Sequence, residues 1–297
     1  MTVTDAELAR LEAAVERALE TGDLGRLTVL GYGEISTVLA LDTAGGRYAA
    51  KRLPRFASQE AFDAYGAVLQ EYVATLDHAG IRVVPTSLRS LARADGSLTA
   101  YCVQPALAPD SLAPRWLERA SDAEGARLLG VIVDRIAGAV SPRVGLDGQL
   151  SNWVTNDGDE PSYLDVSTPL LRDARGRERL DVGLFIASLP WALRGAARRF
   201  LLQGIIDKYY APRGVLLDLA GNLVKDGQGR FIEPLLEHAN RFVTPALTAD
   251  EAHRYYASDA KSWALLQRLR RADRAWQRHV RGRSYGYLLP GKIERRT

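Results

Sequence analysis

Residues Gly145 to Pro169 read GLDGQLSNWV (145–154), TNDGDEP (155–161) and SYLDVSTP (162–169). The apolar residues of this stretch predict two short strands, Trp153 to Thr155 and Tyr163 to Leu164, on either side of a polar turn. This pattern brings Asp147, Asn152 and Asp165 to one end of a hairpin. Carboxylate and amide oxygens are the hard ligands that Mg²⁺ prefers, so the stretch predicts a site for Mg²⁺ and phosphate groups. A polar hairpin in which Asp and Asn only form turns is the alternative.

The composition is that of an ordinary soluble globular protein, with 46% hydrophobic and 25% charged residues. A chain of 297 residues can bury a large core in one or two domains. The net charge of +3 is small for this length, so it indicates neither a nucleic-acid partner nor a membrane partner. The N-terminus lacks the residue order of a signal peptide, and no apolar run approaches the roughly 18 residues of a membrane span. We therefore expect a cytoplasmic location, and the sequence carries no signal for an oligomeric state.

Cysteine and lysine are both rare in this chain. Cys102 is the only cysteine, which excludes an internal disulfide bond and a Cys-based zinc site, and its apolar neighbours predict a buried, inert thiol. The basic residues comprise 34 Arg and 5 Lys, and Lys51 is the only lysine in the first 207 residues. Arg is a planar fork and Lys a compact charge, so a site that needs lysine cannot accept the exchange freely. Lys51 is therefore a candidate functional residue, with a surface lysine as the alternative.

The first hundred residues predict an antiparallel sheet with two helices. The expected elements are a helix over 4–21, three strands over 27–53, a helix over 58–79 and a hairpin of 83–92 with 98–104. Thr4 and Glu7 form a capping-box pattern at the start of the first helix, and Gly22 ends it. Glu71 lies beside the apolar face of the second helix, where it should meet solvent or a cation. The strands together complete a five-stranded antiparallel sheet.

A glycine-containing turn, Gly31-Tyr32-Gly33-Glu34-Ile35-Ser36, joins the first two strands. Glycine lets the backbone approach a phosphate closely, and Lys51 on the third strand can reach the same phosphates. An ordinary turn between strands is the alternative. The segment from Gln104 to Pro109 is the expected linker, because proline cannot continue a central strand.

The remainder of the chain predicts a mainly helical region. Its expected elements are a helix over 122–140, a largely helical stretch over 182–210 with a break near Pro190, a hairpin of 215–219 with 230–232, and helices over 248–281. The segment from Leu170 to Leu180 carries four arginines among acids, which predicts either a solvated loop or a segment that holds an anionic substrate.

Five polar residues follow one another in a recognisable order. Glu71 lies 20 residues and Asp147 lies 96 residues after Lys51, Asn152 follows Asp147 by 5 residues, and Asp165 follows Asn152 by 13. Over residues 27–170 this order and spacing resembles the protein-kinase-like superfamily, in particular its aminoglycoside and choline phosphotransferases. The resemblance implies an α+β, bilobal fold. A small antiparallel-sheet N-lobe with one key helix would cover residues 1–106, and a larger, mainly helical C-lobe would cover residues 107–297.

The resemblance also implies roles for individual residues. The implied nucleotide-binding residues are Gly31, Tyr32, Gly33 and Ser36 in the glycine-rich loop, Lys51 on the strand, and Gln104 and Ala106 at the hinge that meets adenine. Glu71 would hold Lys51 against the phosphates of ATP. Asp147 would be the catalytic-loop aspartate, and Asn152 and Asp165 would bind Mg²⁺.

The chain departs from the pattern of this superfamily at several points. Ser36 stands where a third glycine is common, and Gly145-Leu146-Asp147 lacks the usual histidine two residues before the aspartate. Asp165-Val166-Ser167 replaces the Asp-Phe-Gly run, and the segment after it is too short to bind a peptide. The last departure favours a small-molecule acceptor. We therefore expect an ATP- and Mg²⁺-dependent kinase that phosphorylates a hydroxyl group of a small molecule.

Other interpretations of the sequence remain open. The altered loops favour a catalytically inactive kinase-fold protein that binds a nucleotide or acts as a scaffold, and an atypical protein kinase or a nucleotidyltransferase would keep the fold with different chemistry. A second site is also conceivable, because Asp218, Asn222 and Glu233 accompany the later predicted hairpin at spacings of 4 and 11. Those spacings, and a glutamate in place of the last aspartate, favour Asp147, Asn152 and Asp165 instead.

Overall fold

The computed structural model describes residues 3–32, 36–181, 183–186, 206–282 and 285–289. Its strands are β1 Val29–Tyr32, β2 Thr37–Thr43, β3 Gly46–Arg52, β4 Ser87–Ala92, β5 Leu98–Pro105, β6 Trp153–Val154 and β7 Ser162–Tyr163. Strands β1 to β5 form one antiparallel sheet in the order β1-β2-β3-β5-β4, which confirms the predicted five-stranded sheet.

Helices supply most of the remaining described structure, so the fold is α+β. They are α1 Asp5–Thr21, α2 Gln59–His78, α3 Ala113–Arg119, α4 Asp122–Ala139, α5 Gly183–Ile186, α6 Pro212–Lys225, α7 Ile232–Ala239 and α8 Ala249–His279. Short 3-10 turns cover Pro109–Ser111, Leu150–Asn152, Lys208–Tyr210 and Gly229–Phe231. In this part of the chain no helix combines the length and the apolar character that crossing a membrane requires. The predicted break near Pro190 lies outside the described residues.

Helix α1 begins and ends where the sequence predicts. The side chain of Thr4 accepts a hydrogen bond from the backbone N–H of Glu7, whose carboxylate accepts one from the backbone N–H of Thr4. These two bonds satisfy donors that the first helical turn leaves unpaired. Gly22 ends the helix with a φ of +83°, a left-handed conformation that favours glycine.

The two faces of the five-stranded sheet pack against different helices. Side chains alternate between the faces of a strand, so neighbouring residues on β5 point to opposite sides. Tyr101 and Val103 join the apolar face of α1. Ala100 and Cys102 join the main core, which includes α2, α4 and the later helices. The predicted buried thiol is confirmed, because Cys102 is 3% exposed and burial raises its pKa to about 12.

A buried ion pair fixes α1 to the sheet. The carboxylate of Glu12 accepts hydrogen bonds of 2.9 and 2.7 Å from Nε and Nη2 of Arg52 on β3, and one of 2.5 Å from the hydroxyl group of Tyr101. Burial acts to raise the pKa of Glu12, but Arg52 and Tyr101 outweigh it and hold the pKa below its usual value. Nη1 of Arg52 also donates to the carbonyl of Gly286, so the same side chain holds the segment that follows α8.

Glu12→Gln should therefore lower the free energy of unfolding by roughly 3 kcal/mol at pH 7, because it leaves the charge of Arg52 buried without its partner. The folded-state pKa of Glu12 is lowered, so its contribution is present above about pH 4.5 and is lost as the pH falls through the folded-state pKa. Urea unfolding of both proteins from pH 3 to pH 8 measures the difference, which should be constant at neutral pH and narrow as the pH falls below about 4.5.

Glu16→Gln is the matched control, because Glu16 lies one turn later on α1 and its ion pair with Arg93 is more exposed than that of Glu12 with Arg52. It should cost less than about 1 kcal/mol. Equal losses for the two variants would contradict a special role of the buried pair.

The predicted hairpin of residues 215–219 with 230–232 is wrong. Residues 215–219 lie within α6, and residues 230–232 lie in a 3-10 turn and the start of α7. Asp226 and Gly227 end α6, where the Asp226 N–H donates to the carbonyl of Asn222 at 2.9 Å and Gly227 has a φ of +70°. A turn signal of this kind serves a helix end as well as a hairpin. Helix α6 is buried on most of its surface, so its sequence lacks the regularly spaced polar residues by which an exposed helix is recognised.

The second possible site loses its structural basis with that hairpin. Asp218 and Asn222 lie one turn apart on α6, and Nδ2 of Asn222 donates to the carbonyl of Asp218 at 2.8 Å. Glu233 lies on another helix, α7.

The hairpin predicted around the polar turn of residues 155–161 is confirmed. Trp153 pairs with Tyr163 and Val154 pairs with Ser162 in an antiparallel register. The rings of Trp153 and Tyr163 pack edge to face with centroids 5.3 Å apart, and both residues are almost fully buried. The hairpin is therefore anchored in the core by its aromatic residues, and the polar residues at its open end are held in fixed positions.

Candidate active site

An ion pair joins the sheet to the β6–β7 hairpin. Nζ of Lys51 on β3 donates to Oδ2 of Asp165 at 2.6 Å, and the two side chains are 18% and 27% exposed. The hydroxyl group and the backbone N–H of Ser167 donate to Oδ1 of Asp165 at 2.8 and 3.2 Å. Burial acts to raise the pKa of Asp165, but Lys51 and Ser167 outweigh it and lower the pKa. Asp165 is therefore an anion at neutral pH that already carries one cation.

The loop that contains Asp147 is held by hydrogen bonds to its backbone. The hydroxyl group of Tyr72 on α2 donates to the carbonyl of Gly145 at 2.9 Å. The carbonyl of Asp147 accepts from the hydroxyl group of Tyr163 at 3.0 Å and from Nδ2 of Asn152 at 3.1 Å. These hydrogen bonds leave the backbone of the loop little freedom. Asp147 itself is only partly buried.

The hairpin links the loop of Asp147 to Asp165, because Tyr163, two residues before Asp165, donates its hydroxyl hydrogen bond to the carbonyl of Asp147. Burial raises the pKa of Tyr72, and the charges of Asp147 and Asp165 raise it further. Asn152 and Asp165 come together because the N–H of Leu164 donates to the carbonyl of Asn152 at 2.8 Å across the hairpin. The structure thus brings together Lys51, Asp147, Asn152 and Asp165.

The donor set of this cluster fits Mg²⁺. Nδ2 of Asn152 is used by Asp147, so its carboxamide oxygen is the atom that can bind a metal, beside the carboxylate of Asp165. Mg²⁺ usually binds one or two protein oxygens together with water and substrate phosphates. Within the described parts of the chain, no three His, Cys, Asp or Glu side chains come close enough together to hold a metal ion. A magnesium site here would therefore depend on phosphate and water for its other ligands.

Close packing explains why Gly145 and Gly148 flank Asp147. A Cβ atom at Gly145 would lie 2.9 Å from Cβ of Leu170 and 3.2 Å from the ring of Tyr210. A Cβ atom at Gly148 would lie 2.5 Å from Cγ1 of Val215 on α6. Position 145 thus has no room for the histidine that the resemblance implies, and the hydroxyl groups of two tyrosines fix the loop instead.

Gly148→Ala should destabilise the protein by about 1–3 kcal/mol, because the new methyl group forces the loop and α6 apart. Gly138→Ala is the control: Gly138 is an exposed residue of α4, and a Cβ atom there meets no heavy atom within 4 Å. It should be neutral or stabilising by up to about 1 kcal/mol. Thermal unfolding measures both variants, and an unchanged midpoint for Gly148→Ala would contradict the packing described here.

The structure does not pair Glu71 with Lys51, which is paired with Asp165. Glu71 lies on the exposed side of α2 and pairs with Arg179. Each residue turns a helix by about 100°, and that turn directs Tyr72 rather than Glu71 into the core. The hydroxyl group of Tyr65, seven residues earlier on the same face, donates to the carbonyl of Ser167 at 2.8 Å. Helix α2 therefore contacts the site through two tyrosines. Their spacing of seven residues was the sequence signal that both lie on the same face of the helix.

The expected glycine-rich loop is described only in part. Gly31 pairs with Val38 and Tyr32 pairs with Thr37 at the ends of β1 and β2. A Cβ atom at Gly31 would meet no heavy atom within 4 Å, so open space adjoins this glycine. Gly33 lies outside the described residues. Ser36 is buried and lines a small cavity with Arg52.

The expected hinge residues use several of their polar groups within the protein. Nε2 of Gln104 donates to Oγ1 of Thr86 and to the carbonyl of Leu164, both at 2.8 Å. The N–H of Ala106 donates to the carbonyl of Arg47 at 3.0 Å. Ala106 can therefore offer its carbonyl to a ligand, but not its N–H.

The arginines of residues 170–180 are largely used in ion pairs. Arg172 donates to Glu178 at 2.7 Å and to Asp207, and its guanidinium group lies 3.8 Å from the ring centroid of Tyr210. Arg177 pairs with Asp173 at 2.7 Å. These contacts favour a structural role for the segment over the holding of an anionic substrate.

A family model described as a family of unknown function, DUF6206, matches residues 10–274. The chain belongs to the DUF6206 family. The match extends from α1 into α8 and includes Lys51, Asp147, Asn152 and Asp165. No curated protein matches the chain.

This DUF6206 member has a further polar cluster beside Asp147 that the sequence did not predict. Nζ of Lys208 donates to the hydroxyl group of Tyr255 at 2.8 Å and lies 3.5 Å from Oδ1 of Asp218. The three residues come from the turn before α6, from α8 and from α6, so no local pattern joins them. The rarity of lysine, which identified Lys51, was the one signal that applied equally to Lys208.

Proposed function

We propose that this DUF6206 member is an ATP- and Mg²⁺-dependent phosphotransferase that transfers the γ-phosphate of ATP to a hydroxyl group of a small molecule. The 2.6 Å ion pair between Lys51 and Asp165, beside the rigid loop of Asp147, carries the proposal. A two-lobed, kinase-like arrangement with a boundary near residue 106 belongs to the same proposal. It is supported by a sheet that precedes the helical region and supplies the lysine.

Each residue of the cluster has a defined task in this proposal. Asp165 and Asn152 would hold Mg²⁺, which supplies positive charge to the phosphate oxygens of ATP. Lys51 would move its ammonium group from Asp165 to those oxygens. Asp147 orients the acceptor hydroxyl group and takes its proton as the hydroxyl oxygen bonds to the γ-phosphorus. The bond from that phosphorus to ADP breaks at the same time, and ADP leaves with the electron pair.

The fixed loop supports this assignment on physical grounds. Phosphoryl transfer needs little covalent help from the protein, but it needs reacting groups in place and positive charge where negative charge develops. Three hydrogen bonds to the carbonyls of Gly145 and Asp147 provide the placement. The ammonium group of Lys51 provides part of the charge.

A catalytically inactive nucleotide-binding or scaffold protein is the second candidate. Two observations favour it: Glu71 pairs with Arg179 rather than with Lys51, and the N–H of Ala106 is used by Arg47. Both remove contacts that the kinase-like resemblance implies. The two candidates differ in turnover, because only the phosphotransferase releases ADP from ATP.

Purified protein should bind Mg²⁺-ATP and release ADP slowly, with water as the acceptor. Asp147→Asn should keep nucleotide binding and lower turnover by about 100-fold or more, because it removes the proton acceptor. Asp165→Asn should remove the Mg²⁺ dependence of binding. Calorimetry measures binding, and chromatography of the nucleotides measures turnover and separates ADP from pyrophosphate, the product of nucleotidyl transfer.

Asp159→Asn is the control for these two variants, because Asp159 lies in the exposed turn of the hairpin and pairs with Arg127. It should leave both measurements unchanged. Binding without turnover would support the scaffold, and a wild-type protein that neither binds nor hydrolyses Mg²⁺-ATP would refute the phosphotransferase.

Lys51→Met and Glu71→Gln should differ sharply in turnover, because Glu71 pairs with Arg179 and not with Lys51. Loss of the Lys51 charge should lower turnover by about 100-fold. Glu71→Gln should leave turnover within about threefold, because Glu71 is exposed and its pairing with Arg179 is a surface ion pair. Steady-state ADP release measures both, and equal damage from the two variants would show that Glu71 turns toward Lys51 during the reaction.

A further inference from the structure

Lys208 lies directly beside the loop of Asp147. It begins the short turn Lys208–Tyr210 that precedes α6. The carbonyl of Tyr209 in this turn accepts a 3.0 Å hydrogen bond from the N–H of Leu146, the residue before Asp147. The loop and the turn are thus joined through their backbones, and a change in one displaces the other.

The ammonium group of Lys208 is held in a fixed position. The hydroxyl group of Tyr255 donates to Oδ1 of Asp218 at 2.5 Å, so its oxygen is free to accept the 2.8 Å hydrogen bond from Nζ of Lys208. Burial acts to lower the pKa of Lys208, but Asp218, Tyr255 and Asp147 outweigh it and raise the pKa. Lys208 is therefore a cation at neutral pH, and the charge of Asp147 reaches it.

Stability alone does not account for this cluster. Asp218 is 3% exposed, and its Oδ2 atom has no hydrogen-bond partner among the described residues. A buried carboxylate with an unsatisfied oxygen is costly, and buried ion pairs often stabilise less than apolar residues of the same size. Buried charges of this kind occur more often where the charge has a chemical task.

A cation is needed at this place if the proposed function holds. Asp147 must be an anion to take a proton, and its charge opposes the approach of a phosphoryl group that is also negative. Residues 147–152 contain neither Lys nor Arg, so the loop cannot supply the compensating charge itself. In the proposed function Lys51 serves the phosphate oxygens of ATP from β3, on the side of Asp165, so the cation beside Asp147 must come from another element.

We propose that Lys208 is a second catalytic cation, whose ammonium group contacts an oxygen of the transferring phosphoryl group on the side where Asp147 holds the acceptor. The inference rests on the proposed phosphotransferase function. With water as the acceptor, the water oxygen bonds to the γ-phosphorus, the bond to ADP breaks with its electron pair, and one water proton passes to Asp147. Lys208 keeps its own protons throughout, and Tyr255 and Asp218 are positioning residues.

The test compares Lys208→Met with Lys225→Met in the full-length protein. Lys225 lies on α6, donates to Oδ1 of Asn222, and has a side-chain exposure of 25% against 27% for Lys208. The measurements are kcat and KM for hydrolysis of Mg²⁺-ATP, and the affinity for Mg²⁺-ADP with and without aluminium fluoride, which imitates the transferring phosphoryl group.

Lys208→Met should lower kcat by about 100-fold, leave KM within threefold, and abolish the tighter binding that aluminium fluoride produces. Lys208→Arg should restore at least a tenth of the wild-type rate, because it keeps the charge. Lys225→Met should behave as the wild type. A residue with only a structural role would weaken Mg²⁺-ADP binding with and without aluminium fluoride by the same factor, and that result would overturn the inference.

Two further outcomes separate the inference from the function on which it rests. An active wild type with an equally active Lys208→Met variant overturns the role of Lys208 alone, whereas an inactive wild type overturns the proposed function and the inference with it. If Lys208→Met does not fold, Tyr255→Phe replaces it, because this change removes one of the two groups that position the ammonium group and leaves its charge in place. A lower kcat with unchanged Mg²⁺-ADP affinity then supports the inference, and an unchanged kcat overturns it.

Discussion

The ion pair between Lys51 and Asp165 connects residues that are 114 positions apart in the chain. Both side chains lose much of their hydration, and the attraction between them offsets that cost only because the contact is short and Ser167 completes the shell of Asp165. The contact requires the sheet, the hairpin and α2 to meet at one place. Every other contact of the candidate site depends on that meeting, because Asp147 and Asn152 are held by the same hairpin.

Much of the fold could be predicted because its signals are local. The capping box of Thr4 and Glu7, and the turn at Asp95 and Gly96 between β4 and β5, each act over a few residues. The hairpin at Trp153 and Tyr163 was predictable for the same reason. In these elements the local preference and the tertiary environment favour the same structure.

The errors arose where tertiary contacts decide between structures that the local sequence allows equally. Residues 215–219 are a short apolar run that suits a strand or a buried helix, and packing against α4, α7 and α8 selects the helix. Glu71 and Tyr72 are neighbours on α2, but the turn of the helix between them places Glu71 in solvent and Tyr72 in the core. Lys208, Tyr255 and Asp218 meet only after α6 and α8 have packed, so their cluster has no signature in the sequence.

Helix α2 contacts the candidate site through the uncharged hydroxyl groups of Tyr65 and Tyr72, and this determines how these contacts respond to salt. Burial raises the pKa of Tyr65 and Tyr72 well above the usual value, so both hydroxyl groups remain protonated donors throughout the physiological range. Hydrogen bonds from a hydroxyl group to a carbonyl carry no net charge, and dissolved ions screen them far less than they screen an ion pair. These two hydrogen bonds from α2 to the loops are thus insensitive to ionic strength, and they form without using the charge of Lys51.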